Sequence, residues 1–342
     1  MPNPGLSPDS AHVRLAVPPL EELLAAAHVV SLPMRVKFRG IMQRESLLLR
    51  GPAGWGEFCP FPEYGDAEAS RWLAAALEAG WQGFPAPLRA SVPVNATVPA
   101  VPADQVPDVL ARFGRVDAVK VKVAEQGQSL DDDAARVRAV RAALPSAAVR
   151  VDANGGWDVP GAVEALTRLA SFGLEYAEQP VPSIEGLAEV RARLRDGGTP
   201  VPIAADESVR KETDPLRVAR AGAADLLVVK VAPLGGVRRA LDIVAQAGLP
   251  AVVSSALDTS VGIRAGLALA AALPALPYAC GLGTVSLFES DITLDPLVAD
   301  DGAIRLRDVA ADAGLLERFA APAERRDWWL GRLRRVHALL TP

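Results

Sequence analysis

Six residues of this chain have the types and the spacing to do chemistry together: Lys120, Lys122, Asp152, Glu178, Asp206 and Lys230. Each lies at or near the end of a short apolar run. From Lys122 the steps to Asp152, Glu178, Asp206, Lys230 and Ser254 are 30, 26, 28, 24 and 24 residues. Three acids converging on one point suit a hard cation, because Mg²⁺ takes oxygen ligands and keeps positions open for water and substrate. Zinc fits less well, since no histidine or cysteine accompanies the acids. The histidines are His12, His28 and His337, all near the chain ends. Lysines flanking such a cation are placed to take a proton from the carbon next to a carboxylate, and the cation stabilises the enediolate that forms. A structural ion-pair network is the competing explanation. It does not account for every acid standing at a strand end.

These residues need a scaffold that brings distant strand ends together. The runs Ala118–Val123, Val149–Asp152, Leu174–Glu178, Pro202–Asp206, Leu226–Lys230 and Ala251–Ser254 read as strands. The segments Asp131–Leu144, Pro160–Phe172, Ile184–Arg195 and Gly236–Ala247 read as amphipathic helices between them. In the first, Ala135, Val137, Val140 and Leu144 form the apolar face, with Arg136, Arg138 and Arg141 against them. Apolar strands alternating with helices imply a parallel sheet covered by helices. Val92–Val98 adds a strand before the series and Pro277–Gly281 one after it. Eight strands over about 190 residues predict an α/β fold of the (β/α)₈ type, with its active site at the C-terminal strand ends. The period of two puts Lys120 and Lys122 on one face of their strand and Val119, Val121 and Val123 on the other. The first connection is short, with a helix around Asp104–Phe113.

Residues 1–90 read differently. Arg44–Arg50 and Trp55–Phe58 flank Gly51-Pro52-Ala53-Gly54 as a hairpin, and Ala67–Ala79 reads as a helix. The expected division is an α+β capping domain at 1–90, a modified barrel at 91–295, and a segment at 296–342 that packs back on the cap. Arg325–Leu340 reads as its helix.

The joint pattern Lys120-x-Lys122, Asp152-x-Asn154, Glu178-Gln179-Pro180, Asp206-Glu207-Ser208 and Lys230 resembles the enolase superfamily, in the subgroup named after muconate-lactonising enzyme. The resemblance covers nearly the whole chain. It implies Asp152, Glu178 and Asp206 as Mg²⁺ ligands, with Mn²⁺ able to substitute, and Lys122 and Lys230 as acid/base groups on opposite sides of a substrate. Lys120 supports Lys122. Asn154 offers a hydrogen bond behind the ligands, and Arg150 is a buried ion-pair partner or a substrate contact. The lack of a barrel histidine sets the chain apart from the mandelate racemase subgroup, which uses a lysine and a His–Asp pair. Pro33–Gly40 matches the superfamily loop that closes over the site, or is an ordinary basic strand.

Among the subgroup's activities, the segments after the last strands favour one. Cys280-Gly281-Leu282-Gly283-Thr284 has no acid to pair a substrate amine. Ser254, Ser255, Ser260, Gly262 and Gly281 offer hydroxyls and backbone N–H groups, those of 260 and 262 at a helix N-terminus, which suit a succinyl carboxylate. Helix capping by Thr259 or Ser260 is the plainer reading, and both can hold. The resemblance therefore implies a lyase of menaquinone biosynthesis, which dehydrates 2-succinyl-6-hydroxy-2,4-cyclohexadiene-1-carboxylate to o-succinylbenzoate. N-acylamino acid racemisation or another racemase or cycloisomerase reaction is the alternative. A Schiff-base aldolase using Lys230 stands further off, because it needs no three acids.

Composition narrows partners. The 342 residues carry 36 Lys and Arg against 41 Asp and Glu, a net charge of −5, with no basic stripe for nucleic acid. A small carboxylate is the expected partner. Cys59 and Cys280 exclude a disulfide framework and favour a reducing, cytoplasmic setting. The start, Met-Pro-Asn-Pro-Gly-Leu-Ser-Pro, does not read as a signal peptide. Ala265–Gly283 is uncharged and long enough to span a membrane. Pro274 and Pro277 break it, and it falls where a buried helix and strand are expected.

Overall fold

The computed structural model describes residues 15–38, 40–209 and 214–341; the chain's first fourteen residues and Arg39 lie outside it. The first unit is an antiparallel sheet in which β1 (Ala27–Phe38), β2 (Ile41–Gly51) and β3 (Gly54–Phe58) pair in that order. Leu47, Leu48 and Leu49 are all fully buried, so β2 is covered on both faces. The helix Asp66–Leu77 packs on β3. Glycine makes that approach feasible: a Cβ at Gly56 would lie 2.0 Å from the Ala76 carbonyl oxygen, and one at Gly51 would lie 2.1 Å from that of Gly80. The backbone of Pro33–Phe38 continues β1, with a register shift between those two residues.

Next, β4 (Ser91–Pro93) is followed by β5 (Ala96–Val98), β6 (Ala118–Lys122), β7 (Ala148–Asp152), β8 (Leu174–Glu178), β9 (Ile203–Ala205), β10 (Leu226–Val229) and β11 (Ala251–Val253). Strands β5 to β11 form a parallel sheet in chain order. Caps define the helices between them. Ser129 and Asp132 form a capping box for Leu130–Ala143, while Asp158 caps Val159–Leu169 and Ser183 caps Ile184–Asp196. The first connection holds a six-residue helix, Val106–Ala111.

Two strands depart from the sequence reading. The run Val92–Val98 splits, because β4 pairs antiparallel with β12 (Ala303–Arg305) outside the barrel. Pro277–Gly281 contributes only Cys280 and Gly281, as parallel bridges to Val94 and Ser254. Hydrogen bonds close the ring there: Cys280 N to Pro93 O at 2.7 Å, Asn95 N to Cys280 O at 3.0 Å, Gly281 N to Val253 O at 2.8 Å and Ser255 N to Gly281 O at 3.1 Å. Pro277 has no N–H to extend the ladder. Arg150 braces this thin seam from inside, donating to Ala279 O at 2.6 Å and Asn95 Oδ1 at 3.1 Å while pairing with Glu175 at 2.6 Å. The fold is thus a (β/α) barrel with a reduced eighth strand and an antiparallel cap.

The uncharged stretch is divided between the buried helix Ser260–Ala272 and the irregular segment that leads from it to Cys280 and Gly281. No helix among the described residues is long and apolar enough to cross a membrane. At the other end, the helix Ala323–Ala338 lies against Asp66–Leu77 and buries Trp329, Leu333 and Val336. Its Arg325 pairs with Glu45 at 2.6 Å, and its Arg332 donates to the carbonyls of Pro60, Phe61 and Tyr64.

Candidate active site

Strand register builds the site. Lys122 lies beside Asp152, and Asp152 beside Glu178, so three neighbouring strands present one transverse row. Asp206 follows β9 directly, and Lys230 follows β10. Val119 and Val121 are fully buried on the opposite face of β6.

The three lysines are drawn in among the three acids. Lys120 Nζ lies 3.0 and 3.1 Å from the Glu178 oxygens and 3.1 Å from Asp152 Oδ2. Lys122 Nζ donates to Asp152 Oδ2 at 2.6 Å and to Asn154 Oδ1 at 2.7 Å. Lys230 Nζ binds both Asp206 oxygens, one at 2.6 Å. Burial opposes charge throughout, yet Glu178 and Asp152 hold Lys120 well above the usual lysine value. Asp152 is buried too, but Lys122 and Lys120 hold it far below the usual carboxylate range. The Glu178 carboxyl is pushed up to about 8, by burial first and then by the charges of Asp152 and Asp206, which Lys120 only partly offsets.

Strained backbone aims these groups. Among the described residues, five non-glycine residues have positive φ, and four follow barrel strands at the mouth: Ala124, Asn154, Gln179 and Leu257. Gln179 fastens the next loop: its Oε1 accepts from the N–H groups of Asp206 at 3.0 Å and Ser208 at 3.2 Å, and its Nε2 donates to Ser208 Oγ at 2.8 Å. The N–H of Asn154 donates to Asp152 Oδ1 at 3.1 Å.

A cavity opens over Lys120, Lys122, Asp152, Asn154, Asp206 and Lys230. Glu178 lies beneath it, 1% exposed. Ser254, Ser255 and Gly281 line the cavity, whereas Arg150 lies deeper, in the seam. Ser260 and Gly262 do not line it, although Gly262 lines an adjoining cavity that also touches Lys230 and Ser254. Their N–H groups are already bonded, Ser260 to Asp291 at 3.3 Å and Gly262 to Glu57 at 2.7 Å, so that helix end offers them to no substrate. The sequence reading missed the aromatic roof of Phe61, Tyr64 and Trp72, and Thr97 on the wall. The Phe61-Pro-Glu-Tyr64-Gly run after a strand was a signal for a loop of this kind; Trp72 reads as ordinary helix core.

All-oxygen donors, crowded negative charge at Glu178 and ammonium groups lodged between the acids make Asp152, Glu178 and Asp206 a donor set chemically suited to a divalent cation, although their ligand atoms, held apart by the lysines, do not all come within 4.8 Å of one another. Elsewhere, Glu57, Cys59 and Asp258 bring ligand atoms within 4.8 Å of one another. There the Glu57 oxygens already accept from Ser46, Thr259 and Gly262. The aldolase reading of Lys230 has no use for the row of acids, and its amine is held by both Asp206 oxygens rather than set in an apolar pocket or beside another cation.

Barrel, cap and strand-end row define the class, and the chain belongs to the enolase family. Residues 103–315 match the family described as "Enolase C-terminal domain-like" and residues 29–80 match "Enolase N-terminal domain-like". An o-succinylbenzoate synthase from Mycolicibacterium smegmatis is 58% identical over 325 residues, covering 95% of this chain and 99% of its own length. Another from Mycobacterium tuberculosis (strain ATCC 25618 / H37Rv) is 54% identical over 327 residues, covering 95% and 98%. In fold, the chain is similar to a muconate lactonizing enzyme from Pseudomonas fluorescens solved with muconolactone, with a TM-score of 0.75 at 23% identity over 86% of this chain and 98% of that one.

Proposed function

We propose that this chain carries o-succinylbenzoate synthase activity, the dehydration of 2-succinyl-6-hydroxy-2,4-cyclohexadiene-1-carboxylate. The observation that carries the chemistry is the row of three acids with a lysine on the strands before and after it. The choice among activities is supported by the relatives of that name, which match almost the full length.

Asp152, Glu178 and Asp206 would hold Mg²⁺, or Mn²⁺ in its place. When bound, the ion supplies positive charge beside the substrate's ring carboxylate. Lys122, oriented by Asn154, takes the proton from the carbon bearing that carboxylate. Lys230 stays protonated on the far side, tethered to Asp206, and stabilises the negative charge of the enediolate. The ring C–O bond then breaks, and Lys122 returns its proton to the departing hydroxyl, so that water leaves and the ring becomes aromatic. One base serves both half-reactions.

The same reading makes a small carboxylate, rather than nucleic acid or membrane, the partner, and places the reaction in menaquinone biosynthesis in the cytoplasm. Two buried free thiols, Cys59 and Cys280, support a reducing setting. The cap at 1–90, barrel at 91–295 and tail at 296–342 remain the proposed division.

The test is turnover of two substrates by one Mg²⁺-loaded preparation. Efficient dehydration with weak racemisation of an N-acylamino acid supports the proposal. Racemisation dominating by orders of magnitude, with α-proton exchange in D₂O from both faces, would replace it with the racemase reading.

A further inference from the structure

Arg44, on β2 of the cap, is 2% exposed, and its hydrogen bonds go to none of the acids of the site. Its guanidinium instead spans two units. Nε donates to Leu257 O at 3.0 Å, and Nη2 donates to Ala256 O at 3.1 Å and to Cys59 O at 2.6 Å. Its Cζ lies over the Phe61 ring, 4.2 Å from the ring centre. Ala256, Leu257 and Phe61 all line the cavity that contains Lys122 and Lys230.

The loop it grips is the one after β11. Leu257 has a φ of +61°, a conformation an L side chain keeps only when its surroundings enforce it. Arg44 takes two successive carbonyls of that loop. Glu57, also from the cap, takes the N–H groups of Thr259 and Gly262 at 3.1 and 2.7 Å. Barrel groups hold the two ends of the stretch, at Ser254, Ser255 and Ser260, but the carbonyls of Ala256 and Leu257 and the N–H groups of Thr259 and Gly262 are taken by side chains of the cap. A single cation therefore fixes one wall of the cavity by hydrogen bonds and its aromatic roof by stacking.

We infer that Arg44 is a positioning residue, which sets the wall and roof against which the non-reacting arm of the substrate lies, and so governs substrate selection. The inference rests on the proposed dehydration for the identity of that arm. Lysine cannot replace the guanidinium here, because an ammonium on a flexible stem presents no planar fork to adjacent carbonyls. Nor does Arg44 act on proton transfer, since its own hydrogen bonds go to the carbonyls of Leu257, Ala256 and Cys59. Removing it should weaken binding of substrate and transition state alike, which raises KM and spares kcat.

The experiment compares the wild-type chain with Arg44→Lys and Arg44→Met, each loaded with Mg²⁺. It measures steady-state kinetics on the cyclohexadiene substrate, Mg²⁺ affinity, and amide hydrogen exchange across residues 254–262. The expected result for Arg44→Lys is a KM raised about ten- to a hundredfold, with kcat within about threefold of wild type. Mg²⁺ affinity stays unchanged and exchange in 254–262 becomes faster, with larger changes in Arg44→Met. If Arg44→Met does not fold, Arg44→Lys carries the test. Unchanged KM and exchange in Arg44→Lys would overturn the inference. So would KM, kcat and Mg²⁺ affinity deteriorating together, the sign of a merely structural role. Lack of wild-type dehydration would refute the proposed function instead, and the exchange difference at 254–262 would still decide the placement of Arg44.

Discussion

The molecule buries two acidic clusters, and they are neutralised by different means. At the barrel mouth, Asp152, Glu178 and Asp206 are met by the ammonium groups of Lys120, Lys122 and Lys230. Behind the mouth, Glu57 is met by fixed neutral donors: Ser46 Oγ at 2.9 Å, Thr259 Oγ1 at 2.7 Å and the N–H of Gly262 at 2.7 Å. The first arrangement is the one proposed to exchange its ammonium groups for a divalent cation and to lend its lysines to a substrate. The second uses the same residue type to dock the cap on the end of a barrel helix. Burial and acidity therefore do not mark the chemistry; the partners do.

The largest effect should come from breaking the first cluster. Asp152→Asn, Glu178→Gln and Asp206→Asn should each abolish turnover while circular dichroism shows the fold retained. EDTA should inactivate the wild type, and Mg²⁺ or Mn²⁺ should restore it. Full activity in a metal-stripped sample would erase the distinction between the clusters.

Next come the lysines. Lys122→Ala should lower kcat by about 10²–10⁴-fold, the usual range for a positioned proton-transfer group, and Lys230→Ala by about 10²–10³-fold, the usual cost of removing one preorganised charge-stabilising group. Lys120→Ala should cost less, because its contacts are to Glu178 and Asp152. An active Lys122→Ala beside a dead Lys120→Ala would reassign the base. Asn154→Ala removes one hydrogen bond to the Lys122 amine and should lower kcat by about tenfold.

The smallest effect belongs to the second cluster and is read in stability. Burial, with the charge of Asp258, pushes the Glu57 carboxyl from the ordinary 4.5 up to about 7. A raised carboxyl pKa means that the folded chain holds this proton more tightly than the unfolded chain. Its stabilisation is full below pH 4.5 and is lost as pH rises to about 7. The melting temperature of wild type relative to Glu57→Gln should fall across that window and then level off. A pH-independent difference would show that Glu57 titrates normally.

The row of strand-end acids and lysines was legible in the sequence because it depends on local facts. A period of two orients Lys120 and Lys122, and a strand–helix repeat of 24 to 30 residues brings the next ends alongside. What stayed hidden depends on distant partners. The N–H groups of Ser260 and Gly262 looked available for an anion, but Asp291 and Glu57, 31 and 205 residues away, already take them. Val92–Val98 looked like one strand, and its partners at β12 and Cys280 divide it. In the sequence, Arg136 reads with Arg138 and Arg141 as one of the charged residues that alternate with the apolar positions of their helix. It is 1% exposed, paired with Asp133 and bonded to the carbonyls of Val101 and Lys122. A hydropathy pattern cannot show a buried charge whose partners lie on other elements.

Anomalous diffraction from crystals grown with Mn²⁺ in place of Mg²⁺ tests the contrast between the clusters most directly. The predicted result is a single strong peak among Asp152, Glu178 and Asp206, with no peak at Glu57, Cys59 and Asp258. A peak at the second cluster, or none at the barrel mouth, would contradict it.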